Sequence, residues 1–191
     1  MTRKEIMAVF YRAVMKILGY DPDTFTGTPP VRQTYPKDGA PDWTIDEDVC
    51  FLTYGDAEDE TVRPIHTTYE KTADGYIRHS RMNRVLQVTF TAYGEHAHEN
   101  LNLIRRSIYQ GSKELRSAGI YHIPTDTAVH YMPELYGGMW WERADLTLRF
   151  NCAYTWDDEI STIEEVPVGI RGNAPAESSK VYKADITIKK G

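Results

Sequence analysis

Two runs of strict alternation constrain this chain more than any other feature. From Arg84 to Tyr93, the apolar residues Leu86, Val88, Phe90 and Ala92 alternate with Gln87, Thr89, Thr91 and Tyr93. Between about Trp140 and Tyr154, Ala144, Leu146, Leu148, Phe150 and Cys152 alternate with Arg143, Asp145, Thr147, Arg149 and Asn151. Successive side chains of a strand point to opposite faces, so each run predicts a long strand with one face on a core. That face has to be covered, and two helical stripes are available to cover it. Ile6, Val9, Phe10, Ala13, Val14, Ile17 and Leu18 keep the i, i+3, i+4 spacing of a buried helix face. Thr2 and Glu5 fit a capping box at its start, and Gly19 ends it. A second helix is predicted from about Glu95 to Ala118, with Leu101, Ile104, Ile108 and Leu115 as its stripe. Gly111 inside it marks a bend or a close packing contact. The class is α+β: a mainly antiparallel sheet with two long helices packed on one face.

The remaining elements are shorter. Val49 to Tyr54 reads as a strand closed by Gly55 and the acidic turn Asp56 to Glu60. A further extended piece surrounds Ile65 to Tyr69, and Asp74-Gly75 is a hairpin turn towards Tyr76 and Ile77. Val129 to Met132 is a short strand stopped by Pro133, and Gly137-Gly138 is a hairpin turn. Between Tyr20 and Ile45, five prolines (22, 29, 30, 36 and 41) forbid a helix, so an extended arm or loop is expected there, with a short extended piece from Val31 to Tyr35. With 191 residues, the chain is expected to form one domain over 1–168 that includes this arm. Residues 169–191 are expected to form a C-terminal extension, a Gly/Pro/Ser-rich loop followed by a strand from Val181 to Ile188.

Composition excludes several functions. Aromatics at 12% and hydrophobic residues at 41% are too many for a disordered chain. Lys and Arg total 22 against 28 acidic residues, and the net charge of −6 repels phosphate rather than gripping it. No apolar run is long enough to span a bilayer, no secretory signal is expected, and the chain reads as made in the cytoplasm. Cys50 and Cys152 are expected to be reduced core thiols. His96 and His98 do not share a helix face, so no metal site is expected from them. The carboxylate pairs Asp157-Asp158 and Glu164-Glu165 read as solvated surface. No G-x-S-x-G elbow, Walker loop, G-x-G-x-x-G or H-E-x-x-H motif is present. Neither a catalytic set nor a cofactor is therefore expected. Aromatic residues and Met cluster instead around one turn: Tyr131, Tyr136, Met139, Trp140 and Trp141. Consecutive tryptophans on a strand face opposite ways, so one of them leaves the core or meets a partner. Arg105 and Arg106 read as exposed positions that pair with acidic neighbours or with a partner subunit.

The order and wording of these segments resemble the neck- or tail-terminator proteins of tailed bacteriophages. An amphipathic N-terminal helix leads into the arm Val31-Arg32-Gln33-Thr34-Tyr35-Pro36. The strand Arg84 to Tyr93 passes through Gly94 directly into the helix containing Asn100-Leu101. A short strand ending near Met132-Pro133 and the strand Trp141 to Phe150 follow. The resemblance covers Asp48 to Tyr154 best, and the segment after Val166 has no clear counterpart in it.

The resemblance implies a structural virion protein of the tail or neck. Such a protein assembles as a homo-hexameric ring, caps the tail tube protein, and docks onto the head–tail connector or other neck proteins. DNA passes through the axial channel without specific binding, which an acidic lining would suit. Interface positions are then expected at Arg32, Tyr35, Arg105, Arg106, Tyr131, Tyr136, Trp140 and Trp141. A head-completion or other tail-tube or baseplate component is the neighbouring reading. A small α+β enzyme or ligand-binding domain is the reading from another class.

Overall fold

The computed structural model describes residues 1–35, 39, 42–58, 64–73, 75–125 and 127–160. The expected strand Val181–Ile188, the 169–191 extension, the Glu164-Glu165 pair and parts of the arm and the two acidic turns lie outside the described residues. The chain divides into two compact units: Met1–His66 with Ser80–Trp156, and Thr67–His79 with the residues from Asp157 onward.

The first unit opens with α1 (Arg3–Ile17). Its capping box forms as expected. The Thr2 hydroxyl accepts the Glu5 N–H at 3.3 Å, and the Thr2 N–H donates to the Glu5 carboxylate at 2.8 Å. Then come β1 (Val31–Gln33) and β2 (Val49–Asp56). Further on are β4 (Tyr76–Tyr93, preceded in the chain by β3, His66–Lys71), α2 (Ala97–Gln110), α3 (Lys113–Ser117), β5 (Ile120–Ile123), β6 (His130–Tyr131), β7 (Glu134–Tyr136), β8 (Met139–Trp141) and β9 (Arg143–Ile160). The sheet order is β1-β2-β4-β9-β5, and β6 also pairs with β9. β1 runs parallel to β2, whereas β2 with β4, and β5 and β6 with β9, are antiparallel.

Alternation does what the sequence requires of it. Leu86, Val88, Phe90, Ala92, Ala144, Leu146, Leu148, Phe150 and Cys152 are all buried in one cluster. Ile6, Phe10 and Val14 from α1 and Leu101, Ile104 and Ile108 from α2 belong to the same cluster, so both helices cover the same face of the sheet. Phe10 meets Phe150 edge-on, with ring centroids 4.9 Å apart.

Three expectations change. The second helix is not continuous: α2 stops at Gln110, Gly111 takes φ +93°, and Ser112 caps the short α3 by accepting the Leu115 N–H. The strand expected from Trp140 to Tyr154 is interrupted at Glu142, whose carbonyl accepts the Gly94 N–H, and β9 resumes at Arg143. Finally, Val31–Gln33 of the proline-rich stretch adds a parallel strand to Cys50–Leu52 of its own sheet, with Val31 buried in the core. A parallel partner is distant in sequence, so local pattern does not announce it.

In the second unit, β3 pairs with β4, and the Thr72 N–H donates to the Gly75 carbonyl at the turn. Every residue of β3 is exposed. Charged side chains also link its described strands. Arg78 binds Asp158 at 2.8 Å, and His79 lies between Asp157 at 2.8 Å and Glu70 at 3.2 Å. Hydrogen bonds to Asp157 and then to Glu70 raise the His79 pKa above that of a free imidazole. A group with a raised folded-state pKa stabilises fully below its unfolded pKa, and that contribution is lost as pH rises through the folded value. Amide exchange in residues 67–79 is therefore expected to speed up as pH rises through the His79 titration, after correction for intrinsic rates. His79→Gln is expected to flatten that dependence. An unchanged pH profile in the variant would assign it to another group.

Candidate interaction surface

The aromatic cluster folds as a hairpin of its own. β7 and β8 form a separate two-stranded sheet with Glu134 opposite Trp141, Leu135 opposite Trp140 and Tyr136 opposite Met139. Gly137 and Gly138 take φ +60° and +80° at its tip, the pair of positive values that a tight two-residue hairpin turn needs. Pairing fixes which way each ring points. Leu135 and Trp140 share one face and Trp140 is 67% exposed, while Trp141 lies on the other face and is half-buried. The consecutive tryptophans do separate, as the two-residue period of a strand demands.

Trp141 is the root of the hairpin. Its ring meets Tyr136 at 5.9 Å and Trp43 at 6.2 Å between centroids, and Trp43 in turn packs on Phe51 at 4.9 Å and Tyr93 at 5.6 Å. Beside these rings, Arg143 donates to Glu134 at 2.7 Å and to Asp145 at 2.9 Å, and the Tyr93 hydroxyl donates to Glu134 at 3.2 Å. Burial opposes the Arg143 charge, yet its bonds to Glu134 and Asp145 outweigh that and raise its pKa. Burial likewise raises the pKa of Tyr93, so its phenol stays a donor. The hairpin is thus held at its base by rings and an ion-paired arginine, while Leu135 and Trp140 on its other face, and Tyr136 and Met139 at its tip, reach solvent. Tyr131, Met132, Leu135, Tyr136, Met139 and Trp140 are all exposed, Tyr136 at 69%. Exposed apolar groups gathered around one hairpin make it a candidate interaction surface.

The other expected interface positions fall differently. Tyr35 is 86% exposed. Arg32 turns inward instead. It is 7% exposed, donates to the Pro29 carbonyl at 2.9 Å and pairs with Glu47 at 2.6 Å, because the β1 pairing places it against its own chain. Arg105 lies over the ring of Tyr109, 5.2 Å from its centroid, and Arg106 on the same helix is exposed. Tyr109 and Tyr121 are also exposed and were not singled out from sequence, nor was Trp43. An isolated ring inside a proline-rich stretch carries no periodicity, and the proline-rich surroundings were the only signal.

Two histidines elsewhere are engaged with ordinary partners. His96 pairs with Asp48 at 2.9 Å, while His98 faces Asn102. Among the described residues, no three His, Cys, Asp or Glu side chains are grouped to hold a metal. Both cysteines are free and buried, and burial pushes the Cys50 thiol up to about 12. A surface groove of about 430 Å3 is lined by Arg3, Tyr54, Asp56, Arg84 and Tyr154. Its charges face each other or a ring: Arg84 stands 3.7 Å from Asp56 and over Tyr154, and Arg3 lies over Tyr54. Among the described residues, no helix is long and apolar enough to cross a membrane.

The family model of phage neck terminator proteins matches residues 4–173. No curated protein matches the chain.

Proposed function

Because the chain belongs to the phage neck terminator family, a family of structural neck proteins, we propose that it closes the end of the tail tube and joins the tail to the head–neck connector as a homo-hexameric ring. The match spans both long strands, both long helices and the aromatic hairpin, so it covers the whole described core. The observation that supports assembly is the exposed face of β7–β8. Apolar side chains on a base held by packed rings and hydrogen bonds lose less conformational freedom on docking than those on a free loop, which favours association. The net charge of −6 suits a ring through which DNA passes without being held. The protein is made in the host cytoplasm and ends in the virion neck, contacting the tube on one side and the connector on the other. It works by binding, with no catalytic step.

Size-exclusion chromatography with light scattering, backed by negative-stain imaging, tests the ring. The expected result is a concentration-dependent shift from a 21.9 kDa monomer to closed rings. A particle that remains monomeric at high concentration would overturn this reading.

A further inference from the structure

We propose that the ridge of one copy docks on the α2–β5 edge of a second copy, so that the two surfaces are the unlike halves of one head-to-tail contact. This rests on the ring reading above and names the surfaces that build it. A ring with rotational closure needs two different patches on each subunit. The chain has two that complement each other in charge. The ridge is apolar and flanked by acid: Glu142 is exposed, and its carboxylate accepts a hydrogen bond from the Tyr131 hydroxyl, which raises the tyrosine's pKa. The second patch is aromatic and flanked by base. β5 is the terminal strand on its side of the sheet, with no described strand beyond it. Tyr121 on β5 is 55% exposed, and Tyr109 on α2 lies against His122, the next residue of the same strand, 4.5 Å between rings. Arg106, one turn before Tyr109, is exposed, and Arg105 is stacked on the Tyr109 ring. The edge therefore presents an exposed tyrosine ring on each side of a strand with no described neighbour beyond it, with a guanidinium beside it; the Tyr109 hydroxyl itself donates to the Thr125 carbonyl. Charge complementarity between Glu142 and Arg106 fixes which end meets which.

The two patches cannot satisfy each other within one chain. Tyr131 pairs with Ala144 and Tyr121 with Asn151 on β9, seven residues apart and so separated by about 23 Å along the strand. A second copy is the occupant that carries both surfaces in matching form.

The test mixes two variants of the full chain, each first shown by circular dichroism and thermal melting to be folded. Trp140→Asp removes the ridge but keeps the edge, and Tyr121→Asp removes the edge but keeps the ridge. Each alone is expected to associate at least tenfold more weakly than wild type and to form no ring. Their equimolar mixture is expected to give heterodimers that grow no further, because one intact contact per pair remains. Arg106→Glu is expected to weaken assembly as well, and adding Glu142→Arg in the same chain to restore it. If wild type forms rings and both aspartate variants still do, or if the charge reversal rescues nothing, this docking is overturned while the ring survives. A wild type that stays monomeric or stops at a dimer overturns the ring reading, and this contact with it.

Discussion

Gly94→Ala is expected to destabilise the protein by about 3 kcal/mol or more, a large share of the roughly 5–15 kcal/mol that holds a domain of this kind together. Gly94 joins β4 to α2 at φ +105°, a region that costs an L-residue about 1–2 kcal/mol on its own. Space is the larger problem. A methyl group there would sit 2.8 Å from both the Asp48 Cα and the Glu47 carbonyl, and would overlap the Asp48 Oδ1. The backbone atoms cannot give way cheaply, since Val49 is already paired with Tyr93 in the sheet. Nor can the Asp48 carboxylate swing aside without giving up the His96 N–H at 3.0 Å and the His96 ring at 2.9 Å. For a chain of this size the melting temperature should fall by about 6–12 °C. Gly137→Ala is the control. Its φ is also positive, but nothing lies within 4 Å of the added methyl, so the cost should be about 1 kcal/mol. Equal losses in the two variants would show that crowding at Asp48 is not the cause.

The second large effect is expected at Trp43, where Trp43→Ala should cost about 2–3 kcal/mol and free the aromatic hairpin at the same time. The ring fills the space between Phe51 and Tyr93 on the sheet and Trp141 at the hairpin's root. Without it, Trp141 keeps Tyr136 as its aromatic partner among the described residues, and β7–β8 is held through Glu134, by Arg143 and the Tyr93 hydroxyl. A partly exposed ion pair such as Arg143–Glu134 is worth about 1 kcal/mol or less. Urea unfolding should register the stability loss, and amide exchange should show β7–β8 opening more readily than the main sheet. Trp43→Phe should recover much of both. If exchange in the hairpin does not change, the ion pair rather than the ring holds it, and the ridge would assemble normally in the Trp43→Ala variant.

The particular residues show why the sequence was legible in some places and silent in others. The buried faces of β4 and β9 follow from a period of two over more than eight residues, which no loop or helix imitates. α1 was legible at its start because its cap uses adjacent side chains. The break between α2 and α3 was written as Gly111-Ser112, a stop residue followed by a capping residue, but the apolar stripe runs through to Leu115 and hides it. The parallel pairing of β1 was not legible, and with it went the place of Arg32. Its side chain reads as an exposed cation on an arm, yet the strand that turns it inward lies about twenty residues further along. The hairpin was legible as a cluster of rings around two glycines. That those rings divide between a root and a ridge depends on Trp43, a contact that only the folded chain creates.

The two cysteines give this protein a practical property. Cys50 and Cys152 are the only thiols in the sequence, and both are sealed in the core. A maleimide dye cannot reach either one until the sheet opens, so the native chain is chemically silent towards it. A single cysteine substituted on the ridge could then carry a fluorophore without either native cysteine being removed. The slow labelling of the two core thiols would serve as an internal clock for unfolding in the same tube.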